Sequence, residues 1–340
     1  MTGTMIALDV MGGDDAPNAT IKGALAACAA TGPMRIAPER LLLVGDQERV
    51  EALLDELGGN PGFELLHASQ VIEMSDSPAQ ALRSKPDSSI SRCVGAVKSG
   101  QAGAVVSMGN TGAMVGGATL GLGTLAGVRR PGIAVTLELT GKPVTLLDMG
   151  ANISPKPDHM FQYGAMGSVY MKSCLGLKKP RVGLLNVGEE KGKGTDLLKE
   201  AFELFEQSDL EFVGNVEGGD IFQNRCDVVV TDGFTGNVML KLLEQFSVFF
   251  MGRILGELQK HGAAWGGDAL RTLKRSIDYS TYGGALLLGV NGVVIIGHGR
   301  SDETAVANAV ALACRAIDAR VNEHIERGLA SSIRPPATTS

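Results

Sequence analysis

Aromatic side chains make up only 4% of the 340 residues, which removes the stacking platforms that single-stranded nucleic acids need. There is no basic excess: 31 Lys and Arg face 37 Asp and Glu, for a net charge of -6. Nothing therefore releases counterions from a phosphate backbone, and nucleic acid is not expected as a partner. Cys28, Cys93, Cys174, Cys226 and Cys314 are odd in number, far apart and never spaced Cys-x-x-Cys, which predicts a reduced, cytosolic protein. His67, His159, His261, His298 and His324 show no His-Glu-x-x-His pattern and no zinc-type spacing with cysteine, so no metal is expected. The first residues, Met1-Thr2-Gly3-Thr4, carry neither the positive charge nor the apolar core of a secretory signal. A Gly-x-Ser-x-Gly elbow is also missing, so the chemistry is expected to need no covalent intermediate.

Glycine is plentiful, 46 residues, and it falls at the ends of apolar runs, where tight strand-to-helix turns use it. With 44% hydrophobic residues the chain can bury a large core. Strands are expected at Met5 to Val10, Leu41 to Val44, Phe63 to Ala68 and Ala104 to Ser107, with helices between them, the pattern of a parallel sheet. Ile133 to Leu139 and Val144 to Asp148 read as an antiparallel hairpin inserted in that sheet. Further strands are expected at Val182 to Val187, Phe212 to Val216, Asp227 to Thr231 and Val293 to Ile296. A long helix is expected from Val238 to about His261, a second from Ala269 to Asp278, and one last helix after Asp302. Residues 1–330 form one catalytic α/β unit with a helical excursion at about 238–280, and 331–340 a disordered tail.

Two strand ends carry the same chemistry. After Val228-Val229-Val230-Thr231 come Asp232-Gly233-Phe234-Thr235-Gly236-Asn237, and after Val105-Val106-Ser107 come Met108-Gly109-Asn110-Thr111-Gly112. Glycine N–H groups, hydroxyls and carboxamides at a helix N-terminus favour an anion. The bland alternative is that Asp232, Thr235 and Asn237 only turn and cap the chain. Two such loops are expected to share a crevice where strand order reverses. Asp9, Gly12, Gly13 and Asp14, at the end of the first strand, read either as a helix cap or as a substrate site. Gly188-Glu189-Glu190-Lys191-Gly192-Lys193-Gly194-Thr195 departs from the P-loop, because Lys193 arrives one place early. It either brings an ammonium to an anion at the next helix end or is a surface loop whose lysines offset Glu189 and Glu190. Gly121-Leu122-Gly123-Thr124-Leu125-Ala126 fits a dinucleotide fingerprint but follows a helix rather than a strand, so no nucleotide cofactor is expected.

Taken together, Leu8-Asp9-Val10-Met11-Gly12-Gly13-Asp14-Asp15-Ala16-Pro17, Ser107-Met108-Gly109-Asn110-Thr111-Gly112-Ala113, Arg181-Val182-Gly183-Leu184-Leu185-Asn186-Val187-Gly188, Thr231 to Val238 and Tyr282-Gly283-Gly284-Ala285 resemble the bacterial phosphate acyltransferase family. The resemblance runs from about Met5 to the last helix. It implies a homodimeric three-layer α/β/α sandwich related to isopropylmalate dehydrogenase and phosphotransacetylase. It also implies transfer of an acyl group from acyl carrier protein to inorganic phosphate, giving acyl phosphate for a membrane glycerol-phosphate acyltransferase in phospholipid synthesis. The proposed catalytic lysine and asparagine of that family fall on Lys193 and Asn237. Asp15 stands where many members have His, and Pro86 replaces a basic residue after Arg83. The other readings are a phosphotransacetylase acting on coenzyme A thioesters and a phosphate- or lipid-sensing regulator.

An acidic enzyme needs a local basic patch to hold an acidic carrier protein, and Arg271, Lys274 and Arg275 are the expected one. The stretch from Val238 to Gln259 is apolar but interrupted by Lys241, Glu244, Arg253 and Glu257, so it is not expected to span a membrane. Its apolar face is expected to pack on the core or a second copy. Its tip, Phe249, Phe250, Ile254 and Trp265, is expected to dip into the lipid interface at the inner face of the cell membrane.

Overall fold

The computed structural model describes residues 4–32, 35–139, 141–260 and 283–332. Its strands are β1 (Ile6–Asp9), β2 (Leu41–Gly45), β3 (Glu64–His67), β4 (Ala104–Ser107), β5 (Gly132–Glu138), β6 (Pro143–Leu147), β7 (Arg181–Leu185), β8 (Glu211–Val216), β9 (Val228–Val230), β10 (Ala285–Leu288) and β11 (Val293–Ile296). The helices are α1 (Asn18–Ala29), α2 (Gln47–Glu56), α3 (Pro78–Ser84), α4 (Ser89–Lys98), α5 (Thr111–Leu122), α6 (Pro157–Ser173), α7 (Asp196–Glu206), α8 (Gly233–Lys260), α9 (Glu303–Asp318) and α10 (Val321–Ser332). The alternation of strand and helix builds the expected α/β/α architecture with a mostly parallel sheet.

Contacts gather into two groups: Met1–Pro131 with Tyr282–Glu326, and Gly132–Thr281 with Arg327–Ser340. In the first, the strands run β3-β2-β1-β4-β11-β10, all parallel except β10, which is antiparallel to β11. β1, β2 and β4 are buried at every position, because helices cover both faces and leave no solvent side for alternation. α1 packs so closely on α9 that a Cβ on Gly23 would lie 2.4 Å from Val306. In the second unit the order is β5-β6-β9-β7-β8. Here β5 and β6 form the expected antiparallel hairpin, and β6, β9, β7 and β8 are parallel. α6 lies on β6, β9 and β7 beside α7, and α8 packs on β6.

Some boundaries move. The long helix starts at Gly233 rather than Val238, because Asp232 caps it: its Oδ1 accepts the Thr235 N–H at 2.8 Å and its Oδ2 the Thr235 hydroxyl at 2.7 Å. β10 was not expected; it follows Gly283 and Gly284, both at positive φ, and pairs with β11. The single last helix is two, broken at Arg320 with φ 46°, and α10 runs on through Ser332, into the stretch expected to be a tail. The expectations for 261–282, including the helix from Ala269 to Asp278, and for 333–340 lie outside the described residues.

Candidate active site

In the first unit the chain turns opposite ways from β1 and β4, and the carboxyl ends at such a reversal are where open α/β sheets bind ligands. The loops there touch. A Cβ on Gly12 would stand 2.6 Å from Asp9 Oδ2 and 2.7 Å from the Gly109 nitrogen. Asp9 is fully buried. Its Oδ2 accepts the Ser107 hydroxyl at 2.6 Å and its Oδ1 the Met11 N–H at 3.1 Å, while the Gly109 N–H donates to Ser107 Oγ at 3.0 Å. Burial raises the Asp9 pKa, against hydrogen bonds from Ser107, Ser89, Met11 and Gly12 that pull it down. Neither Asp9 nor Asp14 caps a helix, since α1 starts at Asn18 with Pro17 at its N-cap and no side-chain cap. Asp14 is exposed, and its N–H donates to the Gly299 carbonyl at 2.7 Å.

Asn110 is committed to architecture. Its Oδ1 accepts the Ala113 N–H at 3.0 Å and caps α5, while its Nδ2 faces the carbonyls of Glu73, Met74 and Asp76 at 3.1–3.3 Å. What it leaves open is the exposed first turn of α5, Thr111 and Gly112, whose N–H groups precede the helical ladder. His298, the strand-end histidine, accepts the Arg300 N–H on Nδ1 at 3.1 Å.

In the second unit β6, β9 and β7 are neighbours and parallel, so the loops leaving their carboxyl ends line one edge of the sheet. β9 delivers Asp232, Gly233, Thr235, Gly236 and Asn237 as the cap and first turn of α8. β7 delivers the loop to Lys193, and β6 delivers Asp148 to Asn152. Gly233 and Gly236 are glycine out of necessity: a Cβ there would stand 2.5 Å from the Asn152 carbonyl oxygen and 2.0 Å from the Asp148 carbonyl oxygen. Asn237 is exposed and borders Gly150, where a Cβ would be 3.4 Å from Asn237 Cβ.

The organiser of this edge, Asp148, is one that sequence reasoning missed. Its Oδ1 accepts the N–H groups of Ile133 (3.0 Å), Gly150 (3.1 Å) and Ala151 (2.9 Å), and its Oδ2 that of Asn152 (2.8 Å). Asn152 Nδ2 donates in turn to Tyr163 Oη at 2.8 Å. Burial raises the Asp148 pKa in spite of these four donors. The available signal was an acid closing an apolar strand directly before Met149-Gly150-Ala151-Asn152.

The lysines of this loop do not pair with its own Glu189 and Glu190. Lys191 binds Glu206 and lies 5.4 Å from the Phe202 ring centroid, and Arg225 is the partner of Glu189. Lys193 is exposed and enters no ion pair among the described residues. Of the expected lipid-contacting residues, Phe249 and Phe250 are exposed on α8 and Ile254 is half-buried. Trp265 and the expected carrier-binding Arg271, Lys274 and Arg275 lie outside the described residues. No helix among the described residues is long and apolar enough to cross a membrane, and they hold no cluster of metal-ligating side chains.

The fold is that of the phosphotransacetylases: it superposes on the Streptococcus pyogenes enzyme with a TM-score of 0.61 at 17% identity, over 93% of this chain and 94% of that one. A branched-chain phosphotransacylase from Enterococcus faecalis gives 0.53 at 17%, over 92% and 100%. The family model described as "Fatty acid synthesis protein" matches residues 4–324. Proteins named phosphate acyltransferase are 43% identical in Heliobacterium modesticaldum, over 94% of this chain and 97% of that protein, and 40% identical in Nitratidesulfovibrio vulgaris, over 98% and 96%. The chain belongs to the phosphate acyltransferase family, and it is an acyltransferase.

Proposed function

We propose that this protein transfers a fatty acyl group from acyl-(acyl carrier protein) to inorganic phosphate, releasing acyl phosphate and the carrier thiol. The observation that carries the reading is the edge formed by β6, β9 and β7: a lysine without an ionic partner among the described residues, on the loop that leads into α7, with the strand that opens α8 next to β7, in a phosphate acyltransferase. A phosphate oxygen is itself the nucleophile and a thiolate leaves readily. The protein must chiefly hold a phosphate dianion against a thioester carbonyl and stabilise the oxyanion. Lys193 offsets the charge, Asn237 donates a carboxamide N–H to the reacting group, and the first turn of α8 offers backbone N–H groups, with Gly233 and Gly236 keeping the backbone open.

The acidic carrier docks on Arg271, Lys274 and Arg275 in this reading. Phe234, Val238, Leu242 and Phe246 recur every fourth residue along α8 and are between 53% and 65% exposed. Such an apolar stripe suits a second copy of the chain and supports a homodimer. Phe249, Phe250, Ile254 and Trp265 then meet the membrane interface, where the acyl phosphate passes to the glycerol-phosphate acyltransferase.

The test is to incubate the protein with phosphate and either palmitoyl-carrier protein or palmitoyl-coenzyme A and to trap acyl phosphate with hydroxylamine. Product from the carrier substrate alone is expected. Product from coenzyme A alone overturns the choice of donor, and product from neither overturns the reaction in favour of a regulator.

A further inference from the structure

The loop that presents Lys193 is held from below by two asparagines. Asn186 directly follows β7 and is buried. Its Oδ1 accepts the Val187 N–H at 2.8 Å, and its Nδ2 donates to the carbonyl of Lys193 itself at 3.1 Å. Asn215, inside the neighbouring strand β8, is 1% exposed, and its Nδ2 donates to the Glu190 carbonyl at 3.0 Å. The same carbonyl accepts the Lys193 N–H at 3.0 Å. The turn Glu190 to Lys193 is thus closed on itself, tied at one end to β8 and at the other to the residue that follows β7.

Nothing about the strands calls for these amides. Asn is a poor strand residue, and Asn215 Oδ1 is buried with no partner among the described residues. The residue after Lys193 is shaped to the same clamp: Gly194 has φ +86°, and a Cβ there would be 2.4 Å from Asn186 Oδ1. The other cations nearby are tied elsewhere, Lys191 to Glu206 and Arg225 to Glu189.

We infer that Asn186 and Asn215 are positioning residues that fix the backbone of Lys193, so that its ammonium is delivered to the phosphate at a set place. This rests on the reading of Lys193 given above. Both amides are spent on carbonyls of the loop itself, so they act through Lys193. A lysine on an untethered turn sweeps a wide volume, and a misplacement of about 1 Å is enough to cost on the order of a hundredfold in rate.

The experiment is a double-mutant cycle on the full-length protein. Asn186→Asp keeps the acceptor for Val187 but loses the donor to Lys193, and Asn215→Leu removes the donor to Glu190 at similar volume. Each is made alone and in Lys193→Ala, and turnover, phosphate affinity by calorimetry and melting temperature are recorded. Where a variant's melting temperature drops, Asn186→Ala or Asn215→Ala replaces it. We expect each single change to lower kcat roughly tenfold or more, and to change it by less than about twofold when Lys193 is already Ala, because residues acting through one group are not additive. Equal losses with and without Lys193, or no loss in its presence, overturn the inference. If the wild type forms no acyl phosphate, the proposed reaction fails by itself. Phosphate affinity that falls in the asparagine variants only when Lys193 is present still upholds the positioning role, and a wild type that neither turns over nor binds phosphate overturns both.

Discussion

Replacing Asp148 by Ala should loosen the candidate site of the second unit from beneath. The carboxylate accepts four backbone N–H groups, of Ile133, Gly150, Ala151 and Asn152, at 2.8–3.1 Å. The Ile133 N–H is buried in strand β5 and has no water to turn to, so orphaning it costs about 1–3 kcal/mol. The other three belong to half-exposed residues and recover part of their loss from solvent, about 0.5–1 kcal/mol each remaining. The expected destabilisation is about 2.5–6 kcal/mol. For a unit of about 160 residues, each kcal/mol moves the melting temperature by about 2–4 °C, so a fall on the order of 10 °C is expected. Asp148→Asn keeps one acceptor oxygen but turns an NH2 towards either three N–H groups or one, and should fall between Ala and the wild type. Thermal unfolding by circular dichroism reads all three proteins. If Asp148→Ala melts within a degree of the wild type, this carboxylate does not hold the loop and the account of this edge is wrong.

Lys193→Ala should lower turnover on the order of a hundredfold, as loss of one preorganised donor does elsewhere, and Asn237→Ala, exposed on α8, should lose activity without a change in melting temperature; unchanged rates in both would remove these residues from catalysis. Phe250→Glu and Ile254→Glu should abolish flotation with anionic vesicles, and a wild type that never floats, or variants that float equally well, would leave α8 a purely structural helix. Asp9 binds its proton more tightly folded than unfolded, so its contribution to stability is complete below the ordinary carboxylate range and is lost as pH rises through its raised value. Asp9→Asn cannot ionise, and its melting temperature relative to the wild type should therefore rise between pH 4 and pH 8; a difference that stays constant or falls would show that Asp9 is not strained by its burial.

The strands were legible because a strand covered on both faces must be a continuous apolar run, and Ile6 to Leu8, Leu41 to Val44 and Val228 to Val230 are such runs. The hairpin at Gly141 was legible from its turn. What could not be read was set by partners distant in sequence. Asn110 looks like a ligand group until the carbonyls of Glu73, Met74 and Asp76 are seen around its Nδ2. Asp148 gains its meaning from Ile133, fifteen positions earlier. The start of α8 was misjudged because glycines at 233 and 236 read as turn, whereas their small size answers to the loop after β6.

The strand β11 lies between β4 and β10, with Val293 opposite Ala104 and Ile296 opposite Ser107. Its partner leaves the ribosome nearly two hundred residues earlier. At about 5–20 residues per second, β4 waits on the order of ten to forty seconds with a hydrogen-bonding edge uncovered. The bulk of the second unit, by contrast, is synthesised within that interval and has all of its own strands in hand. Vectorial synthesis therefore favours an order in which the inserted half of the chain folds first and the N-terminal half is the last to close. A nascent chain arrested before residue 293 should expose β4 to holdase chaperones, while one arrested after residue 326 should not.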